Sequence, residues 1–250
     1  MKRHIPNIVT GLNLLSGCIA IIFAVQNHFV GAALFVALGV FFDFFDGLLA
    51  RKLKVQSPLG IQLDSLADLI TSGVVPGLVM YGLIGKAIGG VGVFVVDEGW
   101  NTTVSWVGVK IVPLALVGFL VTLSSAYRLA KFNLDKDQQT YFKGLPTPAN
   151  TLLILSIPLI LHFQYSITVS NLFSNVWFLI AMTLLSSYLL NANIKLFALK
   201  FKTWAFQPNR FRYLFLIASV FLLIILKFIA IPAIIMLYIL VSLFTQKEIS

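Results

Sequence analysis

Residues 43–68 read DFFDGLLARKLKVQSPLGIQLDSLAD, and they join two long apolar runs of the chain. Four aspartates stand in this stretch, at Asp43, Asp46, Asp64 and Asp68, among mostly apolar neighbours. A charged side chain near the centre of a bilayer costs at least about 2.5–3.5 kcal/mol, and carboxylates that lie close together also repel one another. We therefore expect a positively charged ligand to compensate the four carboxylates.

The spacing of the aspartates places each pair on one face of a helix. Asp43 and Asp46 are three residues apart, and Asp64 and Asp68 are four residues apart. The connection, residues 51–57, is short enough for an antiparallel helical hairpin in which the two acidic faces meet. Because His and Cys are missing from the stretch, the carboxylates make a hard oxygen site that favours Mg²⁺, Mn²⁺ or Ca²⁺ over zinc.

The composition of the whole chain is typical of a membrane protein. Its 250 residues are 59% hydrophobic and 11% charged, whereas a soluble domain is usually about 45–50% apolar and about 25% charged. The candidate spans are residues 9–26, 29–50, 58–84, 107–130, 149–165, 170–190, 211–227 and 228–245. The last two are short and could form one tilted or re-entrant hairpin. The sequence therefore predicts an all-α polytopic transmembrane helix bundle with six to eight spans.

The chain is interpreted as one integral membrane domain, residues 1–250, because no Gly/Ser-rich, Pro-rich or charged linker divides it. Residues 1–7 carry Lys2 and Arg3 ahead of the first span, which indicates a short interfacial segment. Residues 1–190 form the predicted core. Residues 191–250 are predicted to form a basic interfacial loop and a C-terminal helical hairpin.

The net charge of +9 reflects membrane orientation rather than nucleic-acid binding. The Lys and Arg residues stand at the ends of apolar runs, and no basic patch is interleaved with aromatic residues on a polar surface. With both termini inside, 15 of the 18 would face the cytoplasm, and Lys86, Lys110 and Lys227 would face outward. The acidic site is then expected near the cytoplasmic face.

Small residues and one arginine accompany the aspartates. Gly47, Ala50 and Gly60 stand next to acidic positions, although glycine inside a helix costs about 1 kcal/mol relative to alanine. Such residues indicate that a bulky group approaches the backbone. Arg51 offers a planar fork of donors that suits a phosphate. Together these residue types predict a diphosphate site that contains metal.

Two alternative roles for the aspartates remain open at this level. They could form an ion pathway in a transporter, or they could pair helices through hydrogen bonds. Transporters more often distribute charged residues over several helices near the middle of the membrane. The four aspartates instead crowd one hairpin beside a basic segment, which favours the metal-phosphate interpretation.

The pattern D-x-x-D-G-x-x-A-R, eight residues, then G-x-x-x-D-x-x-x-D is complete between Asp43 and Asp68. This pattern resembles the signature of the CDP-alcohol phosphotransferase family. Three other segments resemble the members of that family that accept serine. They are I-P-N-x-x-T-x-x-N at 5–13, RLAKFN at 128–133 and FKGLPTPA at 142–149. The chain departs from the usual pattern at Lys131, where Arg is common, and at Asn150, where a small residue is common.

The resemblance implies transfer of a phosphatidyl group from CDP-diacylglycerol to L-serine, with release of CMP. It also implies two divalent ions (Mg²⁺ or Mn²⁺, with Ca²⁺ possible), a homodimer and a bacterial inner membrane. Asp68 would be the catalytic base. The metal ligands would be Asp43, Asp46, Asp64 and Asp68. The nucleotide and diphosphate would contact Asn7, Thr10, Gly47, Ala50, Arg51 and Gly60. The acceptor would contact Arg128, Lys131 and Asn133.

Two alternative functions are kept. The same chemistry could use another acceptor, glycerol 3-phosphate or inositol phosphate, whose phosphate would require a cluster of basic residues. From a different class, an ion-coupled transporter would use the aspartates to carry a cation across the membrane.

Overall fold

The computed structural model describes residues 4–89, 104–106, 109–134, 141–197 and 206–244. The helices are α1 Ile5–Val25, α2 Phe29–Lys52, α3 Pro58–Asp68, α4 Val75–Ala87, α5 Leu120–Leu134, α6 Thr147–Phe163, α7 Ile167–Phe173, α8 Val176–Asn191, α9 Phe206–Leu226 and α10 Ala230–Phe244. A π-helical turn, Leu69–Val74, joins α3 to α4, and 3-10 turns stand at Pro113–Phe119 and Lys227–Ile229. Two antiparallel pairs of three-residue strands complete the described part: β1 Val104–Trp106 with β2 Val109–Ile111, and β3 Tyr141–Lys143 with β4 Lys195–Phe197.

Five helical stretches within the described residues are long and apolar enough to cross a membrane. They are Ile5–Val25, Phe29–Lys52, Pro58–Ala87, Pro113–Leu134 and Asn209–Phe244. A sixth is present if α7 and α8, which are bent by 61° at their junction, count as one span. The shorter α6 is also apolar. The prediction of an all-α polytopic membrane protein is therefore confirmed, with five or six candidate spans among the described residues against the six to eight predicted.

The two spans predicted at 211–227 and 228–245 form one helical stretch of 36 residues. A straight helix of that length would measure about 54 Å, whereas the hydrocarbon core of a bilayer is about 30 Å thick. The stretch is interrupted by its 3-10 turn, where Lys227 has a φ of 50°. The Gln164 side chain hydrogen-bonds two backbone groups at this break. Its Nε2 donates to the carbonyl of Leu226, and its Oε1 accepts from the amide of Ile229.

Replacement of Gln164 by Leu is expected to lower the free energy of unfolding by about 1–3 kcal/mol, because the partly buried break would keep two backbone groups without their hydrogen-bond partner. Thermal unfolding in detergent, followed by tryptophan fluorescence, measures the effect. Gln207→Leu is the matched control because Gln207 is exposed on α9. Equal midpoints for the two variants would contradict the assigned role of Gln164.

Small residues bring α1 and α2 close to the π-helical turn. The buried face of α1 repeats every three or four residues, as expected for one side of a helix. Its buried positions are Pro6, Thr10, Asn13, Ser16, Gly17, Ala20 and Ala24. A Cβ added at Gly17 or at Gly39 of α2 would come within 2.7 Å or 2.6 Å of the Thr71 side chain. The absence of side chains at these two positions thus allows the helices to approach.

The π-helical turn begins directly after Asp68 and is tied to two other helices. Pro76 has no N–H, so it donates no hydrogen bond to the carbonyl of Ser72, four residues earlier. Instead, the Thr151 hydroxyl of α6 donates to the carbonyl of Ser72 at 2.8 Å. The Thr122 hydroxyl of α5 donates to the carbonyl of Gly73 at 2.9 Å. These bonds anchor α5 and α6 below the acidic end of α3.

Several predicted loops fall partly outside the described residues. The segment between the predicted spans 58–84 and 107–130 contributes β1 to the β1–β2 pair, while Asp97 and Glu98 lie outside the described residues. Of the predicted interfacial loop after residue 191, β4 is described and pairs with β3, and residues 198–205 lie outside. In the described part, Leu145 and Leu153 pack in one apolar cluster with Leu196 and Ile235, so the C-terminal segments contact the core.

Candidate active site

A cavity of about 520 Å³ opens where α1 begins, α2 ends and α3 begins, and the last turns of α5 and the start of α6 complete its wall. Twelve of the thirteen residues predicted from the sequence line it. They are Asn7, Thr10, Asp43, Asp46, Gly47, Ala50, Arg51, Gly60, Asp64, Asp68, Arg128 and Asn133. The structure thus gathers into one cavity residues that are up to 126 positions apart in the sequence.

Three of the aspartates converge. One ligand oxygen from each of Asp43, Asp64 and Asp68 lies within 4.8 Å of the others, so the acidic faces of α2 and α3 meet. Asp46 is buried and stands outside this group. Its Oδ2 accepts a short hydrogen bond from the Thr10 hydroxyl, which ties α1 to α2. Of the predicted metal ligands, three therefore share one potential centre and the fourth borders it.

The three clustered carboxylates supply the oxygen ligands that a divalent-cation site needs. Oδ1 of Asp64 is buried and has no hydrogen-bond partner among the described residues. A buried carboxylate oxygen without a partner, on a side chain grouped with two further carboxylates, is costly unless a cation compensates it. Oxygen ligands alone suit Mg²⁺, Mn²⁺ and Ca²⁺. The residues present therefore fit such an ion.

Local capping positions α3 against α1. Ser57 accepts a hydrogen bond from the amide of Gly60 at 3.0 Å and caps the helix, whose first position is Pro58. A Cβ at Gly60 would come within 3.3 Å of Oδ1 of Asn7, closer than an ordinary contact. Glycine at this position therefore lets the first turn of α1 reach the cavity wall.

The guanidinium of Arg51 folds back along α2. A Cβ at Gly47 would lie 3.5 Å from Nη1 of Arg51, so the cation rests over the glycine beside Asp46. Both residues and Ala50 line the cavity. The end of α2 thus presents a cation and a surface without large side chains next to the carboxylates, which suits an anionic group of some size.

Arg128 and Lys131, three residues apart on α5, have different environments. Arg128 is 8% exposed and lines the cavity, and its Nε is buried without a hydrogen-bond partner in the described part of the chain. Lys131 is exposed and lines, with Lys143 and Asn191, a crevice of about 10 Å³ that adjoins the cavity and shares Arg128 with it. A buried guanidinium with an unused donor favours an anionic ligand. Of the two cationic side chains predicted to contact the acceptor, Arg128 lies in the cavity wall and Lys131 does not.

Asn133 is held by a residue that sequence reasoning missed. Its Nδ2 donates to Oγ of Ser65 at 2.9 Å, and the Ser65 hydroxyl lies 3.3 Å from its Oδ1. This pair joins α5 to α3 next to Asp64. Ser65 could have been suspected because it stands between Asp64 and Asp68 in the repeated acidic pattern.

Asn13 belongs to the N-terminal pattern but was not predicted as a site residue. Its Nδ2 donates to Oδ1 of Asp68 at 3.2 Å. The sequence signal was its position three residues after Thr10, on the same helical face. Asn13 therefore extends the site from the cavity wall into the packed interior.

Comparison with known proteins agrees with the geometry. A sequence model described as CDP-alcohol phosphatidyltransferase matches residues 3–188. This range contains all of the cavity residues and excludes the last two helices. The matched region is therefore the part of the chain that builds the site.

Three similar proteins each bear the name CDP-diacylglycerol–serine O-phosphatidyltransferase. The Bacillus subtilis protein is 31% identical over 168 residues, which is 66% of this chain and 78% of that protein. The Saccharomyces cerevisiae protein is 31% identical over 191 residues, 70% of this chain and 58% of the relative. The Mycobacterium leprae protein is 28% identical over 197 residues, which is 76% of this chain and 57% of that protein. The chain thus spans more than half the length of each.

Proposed function

The chain belongs to the CDP-alcohol phosphatidyltransferase family, and we propose that it transfers the phosphatidyl group of CDP-diacylglycerol to the hydroxyl of L-serine, giving phosphatidylserine and CMP. One observation carries the proposal: the complete acidic signature converges in a single cavity that also contains one buried arginine. The names of the three similar proteins support the same donor and acceptor.

The aspartates would hold divalent metal. Asp43, Asp64 and Asp68 would bind one ion, and Asp46 at their border would contribute to a second. A divalent cation bound there neutralises charge on the diphosphate and on the departing CMP. The hydrogen bond from Thr10 would keep the Asp46 carboxylate turned toward the cavity.

The nucleotide side of the cavity would be the wall built by α1, the end of α2 and the start of α3. Gly47, Ala50 and Gly60 leave room for the cytidine diphosphate to approach the backbone. Arg51 would donate to a phosphate oxygen, and Asn7 and Thr10 would add polar contacts. The apolar outer surfaces of the helices suit the two acyl chains of the donor lipid.

Asp68 would remove the proton of the serine hydroxyl. The serine oxygen then forms a bond to the phosphorus that carries diacylglycerol, and the bond from that phosphorus to the CMP oxygen breaks with its electron pair on CMP. Positioning and charge stabilisation supply most of the catalysis in phosphoryl-type transfer. The hydrogen bond from Asn13 would help to orient the carboxylate for proton transfer.

The acceptor side of the cavity favours serine over a phosphorylated alcohol. Among the described lining residues, the cationic side chains are Arg51 and Arg128, and Arg51 lies on the nucleotide wall. Arg128 is therefore the cation available to the serine carboxylate, with Asn133 beside it. A phosphate-bearing acceptor would require a denser basic cluster. Lys131, exposed in the adjoining crevice, would act only at the margin.

Replacement of Arg128 by Gln is expected to raise the KM for serine by roughly 10–100-fold, because a charge-assisted hydrogen bond contributes about 1.5–3 kcal/mol. The KM for CDP-diacylglycerol should change little. Arg210→Gln is the matched control, since Arg210 is exposed on α9 and outside the cavity. Lys131→Gln should have a smaller effect than Arg128→Gln. Equal KM values for serine in the Arg128 and Arg210 variants would contradict this assignment.

The proposed function is tested by CMP release from purified protein in detergent. CDP-diacylglycerol and Mn²⁺ or Mg²⁺ are supplied with L-serine, glycerol 3-phosphate or inositol phosphate in separate reactions. We expect release that requires both serine and metal. Release with a phosphorylated acceptor alone would reject serine while retaining the chemistry, and no release with any acceptor would reject the enzymatic proposal.

We further infer that the cavity faces the cytoplasm of a bacterial inner membrane. Arg51, Lys52 and Lys54 follow the acidic segment at the end of α2, and cytoplasmic loops carry an excess of such residues. The bacterial membrane and a homodimer rest on the family resemblance. Labelling of single cysteines at positions 54 and 86 by a membrane-impermeant reagent in intact cells would test the orientation, with position 86 expected to react.

A further inference from the structure

A short chain of hydrogen bonds runs from Asp68 into the packed interior. Asn13 Nδ2 donates to Oδ1 of Asp68 at 3.2 Å, and the Thr71 hydroxyl donates to Oδ1 of Asn13 at 2.8 Å. Asn13 is 0% exposed and Thr71 is 1% exposed. Neither Asn13 nor Thr71 lines the cavity, so the two act from behind its wall.

The Asn13 amide has one orientation that suits both of its partners: the ionised Asp68 carboxylate only accepts hydrogen bonds, so the NH₂ group has to face it, and the amide oxygen is left to accept from Thr71. A threonine hydroxyl has one hydrogen to donate, and the amide oxygen of Asn accepts but never donates. With Oδ1 of Asn13 receiving the Thr71 hydrogen, Nδ2 is the group that faces Asp68. The opposite orientation would place the amide oxygen against the carboxylate, so that two acceptors would face each other without a hydrogen between them.

The surrounding helices leave these side chains little freedom. A Cβ at Gly39 would come within 2.9 Å of Oδ1 of Asn13 and within 2.6 Å of Cγ2 of Thr71. A Cβ at Gly17 would come within 2.7 Å of Oγ1 of Thr71. Thr71 stands in the π-helical turn three residues after Asp68, and its Oγ1 also lies 3.3 Å from the backbone carbonyl of Asn13. Close packing therefore restricts the side chains of Asn13 and Thr71 to one arrangement.

We propose that Asn13 and Thr71 are positioning residues that hold the Asp68 carboxylate in its working orientation, with one oxygen fixed by Asn13 and the other free for the cavity. Among the described residues, Asp68 accepts no hydrogen bond other than that from Asn13. The inference deepens the proposed function, since the orientation serves both metal binding and proton removal. Loss of such supporting partners commonly costs about 10–100-fold in metal affinity or activity.

The test compares Thr71→Val, which removes the hydroxyl at nearly constant shape, with Thr71→Ser, which keeps it. Asn13→Leu and the double variant with Thr71→Val complete the set. Mn²⁺ affinity is measured without substrates from the electron paramagnetic resonance signal of free Mn²⁺, and kcat and both KM values come from CMP release. We expect Thr71→Val to lower Mn²⁺ affinity or kcat by about 10–100-fold. Thr71→Ser should stay close to the unaltered protein.

The double variant should lose little more than Asn13→Leu alone, because residues that act through one contact are not additive. Unchanged Mn²⁺ affinity and kcat in Thr71→Val would overturn the inference. An equal loss in Thr71→Ser would also overturn it, because that result indicates packing rather than the hydroxyl. If the unaltered protein released no CMP while Thr71→Val weakened Mn²⁺ binding, the proposed reaction would fail and the positioning of Asp68 would stand.

Discussion

Asp68→Asn is expected to lower the rate of CMP release by about 10²–10⁴-fold, the usual contribution of a positioned general base. The amide of Asn has nearly the shape of the carboxylate, so the packing against α1 should survive. It cannot accept the proton of the serine hydroxyl, however, and it removes one charge from the group formed with Asp43 and Asp64. The loss should appear mainly in kcat.

The measurement is the initial rate of CMP release in detergent at saturating CDP-diacylglycerol, serine and Mn²⁺. Asp97→Asn is the matched carboxylate control, because Asp97 belongs to the segment between the third and fourth apolar runs of the sequence. A rate for Asp68→Asn close to that of the control would rule out Asp68 as the base. A rise in the KM for serine with unchanged kcat would assign Asp68 to acceptor binding instead.

Asp64→Asn is expected to weaken Mn²⁺ binding by at least about 100-fold, since the loss of supporting groups around a metal ligand already costs about 10–100-fold. Oδ1 of Asp64 is the buried carboxylate oxygen without a partner in the described structure, so a cation would compensate it directly. Substitution by Asn removes a negative charge from three carboxylates whose ligand atoms lie within 4.8 Å of one another.

Two titrations with Mn²⁺ test this prediction. One follows the electron paramagnetic resonance signal of free Mn²⁺, and the other follows the rate of CMP release. We expect both curves of Asp64→Asn to shift to higher concentration, with partial recovery of the rate at high Mn²⁺. Asp97→Asn again serves as the control. Unshifted curves would exclude Asp64 as a ligand, whatever happened to the rate. Removal of metal by a chelator should stop CMP release by the unaltered protein, and added Mn²⁺ should restore it.

Much of the architecture could be predicted from the sequence, because the length of an apolar run is matched to the thickness of a bilayer. The runs that became α1, α2 and Pro58–Ala87 were each predicted within a few residues of their ends. The acidic faces were also predictable. Residues three or four apart share a helical face, so the positions of Asp43, Asp64 and Asp68 already implied that a hairpin would bring them together.

Hydropathy says nothing about breaks inside an apolar helix, and there the predictions were less accurate. Windows of apolar residues divide 209–244 into two spans, whereas the structure has one helical stretch whose interruption depends on Gln164 from another helix. The bend between α7 and α8 and the π-helical turn after Asp68 also left no hydropathy signal. Pro76 was a local hint of irregularity, but Thr151, whose hydroxyl donates to the carbonyl of Ser72, is 79 residues away from Ser72.

Composition and helical spacing are local properties, and they were enough to predict a helical membrane protein with an acidic, oxygen-rich site. The packing of the helices, by contrast, puts Arg128 in the cavity wall and Lys131 in the small crevice that adjoins it. It also decided that Asn13 and Thr71 stand behind Asp68. These outcomes depend on how closely the helices pack, which the small residues along α1 and α2 set through contacts between distant parts of the chain.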